Sequence, residues 1–415
     1  MTSASTEILV VGGGPAGCSA AIRLADAGHD VTLLEARTAS SVVPRGNLLV
    51  PAAVSELRDL GIGDDDIAAH QVSGTRMCHD GRSVPVLWPS TRATRPEGLT
   101  VERSELDRSL HARAAASGVT IRRGARATAA VVERGFVRGA TVNSDDDSST
   151  EIRCRFLVVA DGANSRFGRN LGTHRDRRWP YAISTSTTIP SPRCDERWVE
   201  THLGPLDPDG NPVTGHGWVN PMGNGNVNVG VTMLSSYRDV LGVNSVDLLD
   251  RFVSSVAEAW RFDPAERLVE PMRWRTPVGG SVSPTMGPTF LVVGDAGGLA
   301  NPFNSHGVGA AFATSRIAAE VLDEALRVGN STTLQRYPAR LHDELGGYHK
   351  VGRLSARFLG RPWLLRAALQ SGIRSDAAMG AAVRVANGEF RQDGASGAER
   401  AYRAASVIAR FAPSW

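Results

Sequence analysis

Glu7-Ile8-Leu9-Val10-Val11-Gly12-Gly13-Gly14-Pro15-Ala16-Gly17 is the stretch whose reading decides the fold. Glu7 to Val11 is short, apolar and β-branched, as expected of a strand buried on both faces. From Pro15 onward, Ala16, Ala20, Ala21, Leu24 and Ala25 recur at helical spacing, and Gly28 marks the stop. Val31 to Leu34 reads as a second strand that ends at Glu35, which makes a βαβ unit. Between strand and helix, Gly12, Gly14 and Gly17 satisfy GxGxxG. Gly12 serves the tight turn, Gly14 the approach of a pyrophosphate to the backbone, and Gly17 the close packing of helix on strand. The helix start offers amide donors to phosphate, and Glu35 offers a carboxylate to a ribose.

Two later segments repeat the pattern of an apolar strand running into a small-residue turn. They are Val158-Val159-Ala160-Asp161-Gly162-Ala163-Asn164-Ser165 and Leu291-Val292-Val293-Gly294-Asp295-Ala296-Gly297-Gly298. In an open α/β sheet, ligands sit beyond the carboxyl ends of the strands. Asp295 is therefore a candidate for a sugar hydroxyl, and the helix starting near Gly307 can aim its N-terminus at a group that gains negative charge.

Around this unit, the spacing predicts helices over Pro51 to Leu60, Ser104 to Ser117, Val246 to Trp260 and Val308 to Arg327. Ser104 and Asp107 are the expected N-terminal capping pair of the second of these. Ala129 to Val142 reads as strand, and Val84 to Thr100 as Pro-rich and irregular. Tyr181 to Val231 alternates like antiparallel strands, and Thr333 to Phe411 reads as helical. The fold class is α/β plus antiparallel β. The expected dinucleotide domain is Rossmann-type and discontinuous (1–75, 100–175 and 285–330), with an inserted sheet domain for substrate (76–99 and 176–284) and a C-terminal helical region (331–415).

Composition narrows the partners. The 415 residues carry 46 Lys+Arg against 43 Asp+Glu, and only 6% are aromatic. Interleaved charge and sparse aromatics argue against nucleic acid. Cys18, Cys78, Cys154 and Cys194 form no CxxC pair, so neither a zinc site nor a redox dithiol is expected. No run approaches about 18 consecutive apolar residues, and no signal peptide is legible, so the expected location is cytoplasmic. His349 to Arg374 is basic and amphipathic. It reads either as helices packed on the substrate domain or as a contact with a membrane surface.

In their order, GGGPAG, Glu35, VVADGANSR and GDAGGLANPFNSHGV resemble the FAD-dependent monooxygenase superfamily with the aromatic-hydroxylase fold. Over nearly the whole chain the likeness is to its geranylgeranyl reductase and squalene-epoxidase-like group. The resemblance implies that Gly12, Gly14, Pro15, Ala16, Gly17, Glu35 and Ala36 hold the adenosine half of FAD. It implies that Arg45, Gly46, Arg103 and Asp161 lie along the cofactor, and that Gly294 and Asp295 serve its ribityl chain. Pro302 and the Asn304 to Val308 loop, with Gly307 and Val308, match the segment beneath the flavin ring. Trp218, Asn220 and Leu49 are the candidate substrate contacts.

The group's reductases carry Cys-Gly where this chain has Arg45-Gly46, Phe where it has Asn220, and Glu where it has His306. A more polar pocket suits oxygen chemistry, so the expected reaction is epoxidation or hydroxylation of a hydrophobic, isoprenoid-type metabolite with O₂. The alternative is saturation of isoprenoid double bonds by reduced FAD. Arg45, Asn220 and His306 are the candidate catalytic residues. The electrons are expected from NAD(P)H, directly or through a flavin reductase or another electron-donor protein.

Overall fold

The structure is a computed structural model that describes residues 4–38, 45–88, 96–145, 148–372 and 375–388, with 402, 406 and 407. The first sheet has a parallel core. Across it run Thr120–Arg123, Val31–Glu35, Ala4–Val11, Ser149–Val159 and Phe290–Val292. Ile8 and Val10 point into one apolar cluster, with the helices Pro15–Asp26, Arg103–Ala116 and Val308–Val328. Leu9 and Val11 point into another, beneath the hairpin strands. Both faces are covered, which is why the strand is apolar throughout and not alternating.

A second sheet of seven strands stands beside the first. Its order is Met272–Pro277, Tyr181–Pro190, Asn226–Leu234, Gly215–Pro221, Trp198–Leu203, Gly74–His79 and Arg82–Leu87. Along Asn226–Leu234, Val227, Val229, Val231 and Met233 pack on the helix Ser245–Trp260. Thr232 and Leu234 face the other way, into a cavity between the sheets. A three-stranded sheet, Gly46–Leu49, Gly98–Glu102 and Ala69–Val72, joins the two halves. The helices Gly347–Leu359, Pro362–Gly372 and Asp376–Asn387 cover the far end.

Three expectations change. Within Val84 to Thr100, the described residues belong largely to Arg82–Leu87 and Gly98–Glu102, each paired in a sheet, and residues 89–95 lie outside the described residues. The strand read over Ala129 to Val142 is a hairpin of Ala125–Glu133 and Phe136–Ser144. Its reversal is Arg134-Gly135, both at positive φ (50° and 82°), as a tight hairpin turn requires. The helix read from Ser104 starts at Arg103, with no side-chain cap. The Asp107 carboxylate instead accepts from Arg103 Nε at 2.8 Å and Arg37 Nη2 at 3.0 Å. Most of the helical region expected beyond Gly388 lies outside the described residues.

Candidate active site

The glycine loop works through its backbone. Gly12 has φ +109°, and a Cβ there would lie 2.3 Å from the Ala160 carbonyl oxygen. At Gly17 a Cβ would lie 1.8 Å from the Gly12 oxygen. Neither position has room for a side chain. Gly14 differs: a Cβ there would meet only Arg103 Nη2, at 3.3 Å, because the position opens on the cavity. The helix begins at Pro15 with no side-chain cap at Gly14, so its first amides stay available to a ligand.

Side chains missed by the sequence reading hold this loop. His111 Nε2 bonds the Gly13 carbonyl at 2.8 Å, and the Cys18 thiol donates to the same oxygen at 3.3 Å. Burial lowers the His111 pKa and raises that of Cys18. Both are single residues on helix faces that read as core, so nothing in the sequence singled them out.

A cavity of about 520 Å³ runs from this loop to the C-terminal helices. At the loop end it is lined by Gly14, Pro15, Ala16, Arg45, Gly46 and Arg103. Asp295, Pro302, His306, Gly307 and Val308 line its middle. Trp218 and Asn220 form the wall given by the second sheet. Burial raises the Asp295 pKa, while the charges of Arg45 and Arg103 pull it back down. Burial, and then the charge of Arg103, lowers Arg45 to about 10, against the opposing pull of Asp295. The Arg45 guanidinium also lies 4.8 Å above the Trp274 ring.

The cavity wall also holds two histidines, one of them (His216) not expected. Burial and the neighbouring His306 lower His216 to about 3, and burial lowers His306 to about 4. Both are neutral at physiological pH. Trp218 donates from Nε1 to Asn228 Oδ1 at 3.0 Å and stands 6.4 Å from Trp274 and 6.1 Å from His216. His216 shares the strand and the face of Trp218, two residues away, so alternation could have found it, whereas Trp274 enters the wall from the strand Met272–Pro277, which a local motif does not display. The loop carrying Pro302 to His306 is tied to the last described helix. Asn301 Nδ2 donates to Ala386 O at 2.8 Å, and Asn304 Nδ2 donates to Ala386 O at 2.9 Å and Asn387 Oδ1 at 3.0 Å.

Other expected residues lie off the cavity wall. Leu49 is 0% exposed in the first core, and its neighbour Leu48 lines the cavity instead, because successive strand residues point to opposite faces. The Asp161 carboxylate accepts from Ser165 Oγ at 2.6 Å and the Phe167 amide at 2.9 Å, which caps the short helix Arg166–Asn170. Gly294 has φ +59° and lets the Gly-Asp turn close on Ala16, whose Cβ would lie 2.8 Å from a side chain there. Glu35 stands against Gly13 but accepts from the Arg37 amide at 2.7 Å. Ala36 follows it, half-buried.

Cys78, Glu200 and His202 converge on the far face of the second sheet, with their ligand atoms within 4.8 Å of one another. Glu200 Oε2 accepts from Trp260 Nε1 at 2.9 Å and bonds His202 Nε2 at 3.0 Å. Burial pushes His202 down, but hydrogen bonds to Cys78 and Glu200 outweigh it and lift the ring to about 9. The three groups satisfy one another.

The cavity accommodates a dinucleotide flavin. Its loop end offers uncapped amides and arginine to phosphates, and Asp295 offers a carboxylate to hydroxyls. Arg45 Nε, Asn47 Nδ2, Asn220 Oδ1 and His306 Nδ1 are buried at its wall without a protein partner, as expected where a polar ligand edge supplies one. Fold and site together define a dinucleotide-binding oxidoreductase with an inserted antiparallel sheet. The family described as FAD binding domain matches residues 5–343, and the chain belongs to it.

The chain is an FAD-dependent oxidoreductase, and its relatives are reductases by name. A menaquinone reductase from Mycobacterium tuberculosis is 34% identical over 410 residues, covering 98% of this chain and 97% of that protein. A digeranylgeranylglycerophospholipid reductase from Methanopyrus kandleri is 32% identical over 360 residues, covering 85% and 90%. Among solved structures, a geranylgeranyl bacteriochlorophyll reductase-like protein from Thermoplasma acidophilum shares the fold. Its TM-score is 0.75 at 23% identity, covering 98% of this chain and 96% of that one. Among the described residues no helix is long and apolar enough to cross a membrane.

Proposed function

We propose that this chain is an FAD-dependent reductase that saturates a carbon–carbon double bond in an isoprenoid chain, with a prenylated quinone as the leading substrate class. One observation carries the reading. The cavity continues from the Asp295 and His306 side into an apolar end lined by Leu359, Leu365, Leu369, Met379 and Val383. That end suits a long hydrocarbon. The relatives add support: menaquinone and digeranylgeranyl lipids share a polyprenyl chain, and neither a ring nor a headgroup.

Bound FAD, once reduced to FADH₂, would supply both a hydride and a proton to the double bond and be left as oxidised FAD. Gly14, the first amides of the Pro15 helix and Arg103 would hold its phosphates, and Asp295 its sugar-like hydroxyls. Trp218 and Trp274 present an apolar wall to the substrate chain, and the C-terminal helices exclude water from it. NAD(P)H, directly or through an electron-donor protein, remains the proposed electron source.

The preference for oxygenation rested on a polar pocket stabilising a developing negative charge. The geometry weakens that argument. His216 and His306 are held neutral, so neither brings a positive charge to the pocket. None of the relatives reported above is named as an oxygenase.

The reaction is tested by product mass. Photoreduced enzyme and a short-chain prenylated quinone are incubated without oxygen, and a parallel sample is run under ¹⁸O₂. A product heavier by two hydrogens, formed without oxygen, is expected. A product carrying one ¹⁸O atom, formed only in the aerobic sample, would overturn the reductase reading in favour of oxygenation.

A further inference from the structure

Helices Gly347–Leu359 and Pro362–Gly372 close the cavity with one face and show another to solvent. Leu359, Leu365 and Leu369 line the cavity. Phe358 and Trp363, beside them in sequence, are each 65% exposed. Ala368 and Ala382 are exposed and also line the cavity, so its mouth lies between Pro362–Gly372 and Asp376–Asn387.

The charge of these two helices is one-sided. Residues 347–372 include Lys350, Arg353, Arg357, Arg361 and Arg366, with no Asp or Glu. Arg357, Arg361 and Arg366 are exposed. Two further apolar side chains come from segments tied to the same corner. The Arg238 amide donates to Gly360 O at 3.0 Å, which brings up the segment carrying fully exposed Leu241. Arg366 Nη2 donates to Asn211 Oδ1 at 3.4 Å, and a Cβ at Gly204 would lie 2.8 Å from Leu369 Cδ1. These two contacts fix the loop that carries exposed Leu206. Exposed Asp209, Asp239 and Asp376 border the corner, but the two helices themselves present only basic charge. Aromatic and aliphatic side chains among these arginines, at the mouth of an apolar cavity, match the interfacial zone of an anionic bilayer. There tryptophan sits at headgroup depth and each arginine gains from the surface charge.

We propose that this corner docks on an anionic phospholipid bilayer and sets the cavity mouth at the lipid surface. An isoprenoid chain then passes from the membrane into the cavity without crossing water. The cargo rests on the proposed function, but the docking does not. A protein partner would be expected to meet these arginines with carboxylates, whereas a lipid surface meets them with a continuous negative field and also accepts Trp363 and Phe358.

The test is vesicle flotation of the FAD-loaded full chain. One vesicle is phosphatidylcholine alone, and the other is three parts phosphatidylcholine to one part phosphatidylglycerol. Binding to the mixed vesicles is expected, weakened by high salt. Arg361→Gln with Arg366→Gln should weaken it roughly 25-fold, at about fivefold per charge. Phe358→Ser with Trp363→Ser should weaken it at least about tenfold. Every variant should keep its flavin absorbance and reduce a detergent-dispersed substrate at the wild-type rate. Absence of flotation, or variants that float like wild type, would overturn the docking. So would a patch covered by residues 389–415, seen as no wild-type binding, or by a second copy, seen as variants that change only the oligomeric state. Flotation without reduction in detergent would leave the docking standing and remove the reductase reading.

Discussion

The two ends of the cavity are built on different principles. At the glycine loop the surface is backbone: a turn at φ +109°, a helix start without a cap, and a carbonyl at Gly13 fixed by His111 and Cys18. Away from the loop it is side chain. His216, Trp218 and Asn220 alternate along one strand, Trp274 and His306 come from a strand and a loop far from it in sequence, and Asn220 Oδ1 and His306 Nδ1 have no protein partner. The first end tolerates almost no substitution, because backbone approach leaves no volume. The second keeps its shape through packing and can exchange its chemistry without changing the fold.

The sharpest way to break this comparison is at Gly14 and Gly17. Gly14→Val should fold but hold less than a tenth of the wild-type flavin, since its side chain points into the phosphate path and not into the protein. Gly17→Ala should fail to fold, because its Cβ would lie 1.8 Å from the Gly12 oxygen. Flavin absorbance per protein, set beside the thermal midpoint of the apoprotein, separates the two outcomes. Full flavin occupancy in Gly14→Val would remove the cradle from this loop.

A smaller effect is expected where the two ends meet. Asp295→Ala removes a buried acceptor that both Arg45 and Arg103 face. A hydrogen bond to a charged group contributes roughly 1.5–3 kcal/mol, so FAD affinity should fall about 10- to 150-fold. Titration of the apoprotein with FAD measures it, and an unchanged affinity would place the cofactor's hydroxyls elsewhere.

The smallest effect belongs to the side-chain end and is read by pH. His216 and His306 have folded values near 3 and 4, below the ordinary histidine value. As pH falls below about 6.5 the unfolded chain takes up these protons before the folded one does, so folding stability declines with acidity. At pH 5.5 each histidine costs about 1.4 kcal/mol relative to neutral pH. His306→Gln should recover about that much of the loss in denaturant titrations of the apoprotein at pH 7.5 and 5.5. Equal acid sensitivity in wild type and variant would mean that the ring is solvated.

The sequence by itself determined what depends on local backbone. Gly12 to Gly17 announced a cradle because only glycine fits a positive φ and a 1.8 Å approach. The apolar run Ile8 to Val11 announced a doubly covered parallel strand. The Gly294-Asp295 turn and the helix from Val308 were legible for the same reason. Tertiary structure alone decided what depends on which strands become neighbours. Leu48 and not Leu49 reached the cavity, since strand alternation is set by the sheet that the strand joins. Trp274 came under Arg45 and beside Trp218 by pairing across segments that no short motif spans. The polar character of Arg45, Asn220 and His306 was visible in the sequence. Their electrostatic surroundings were not, because burial and the placing of Arg103 and Asp295 near Arg45 exist only once the chain is folded.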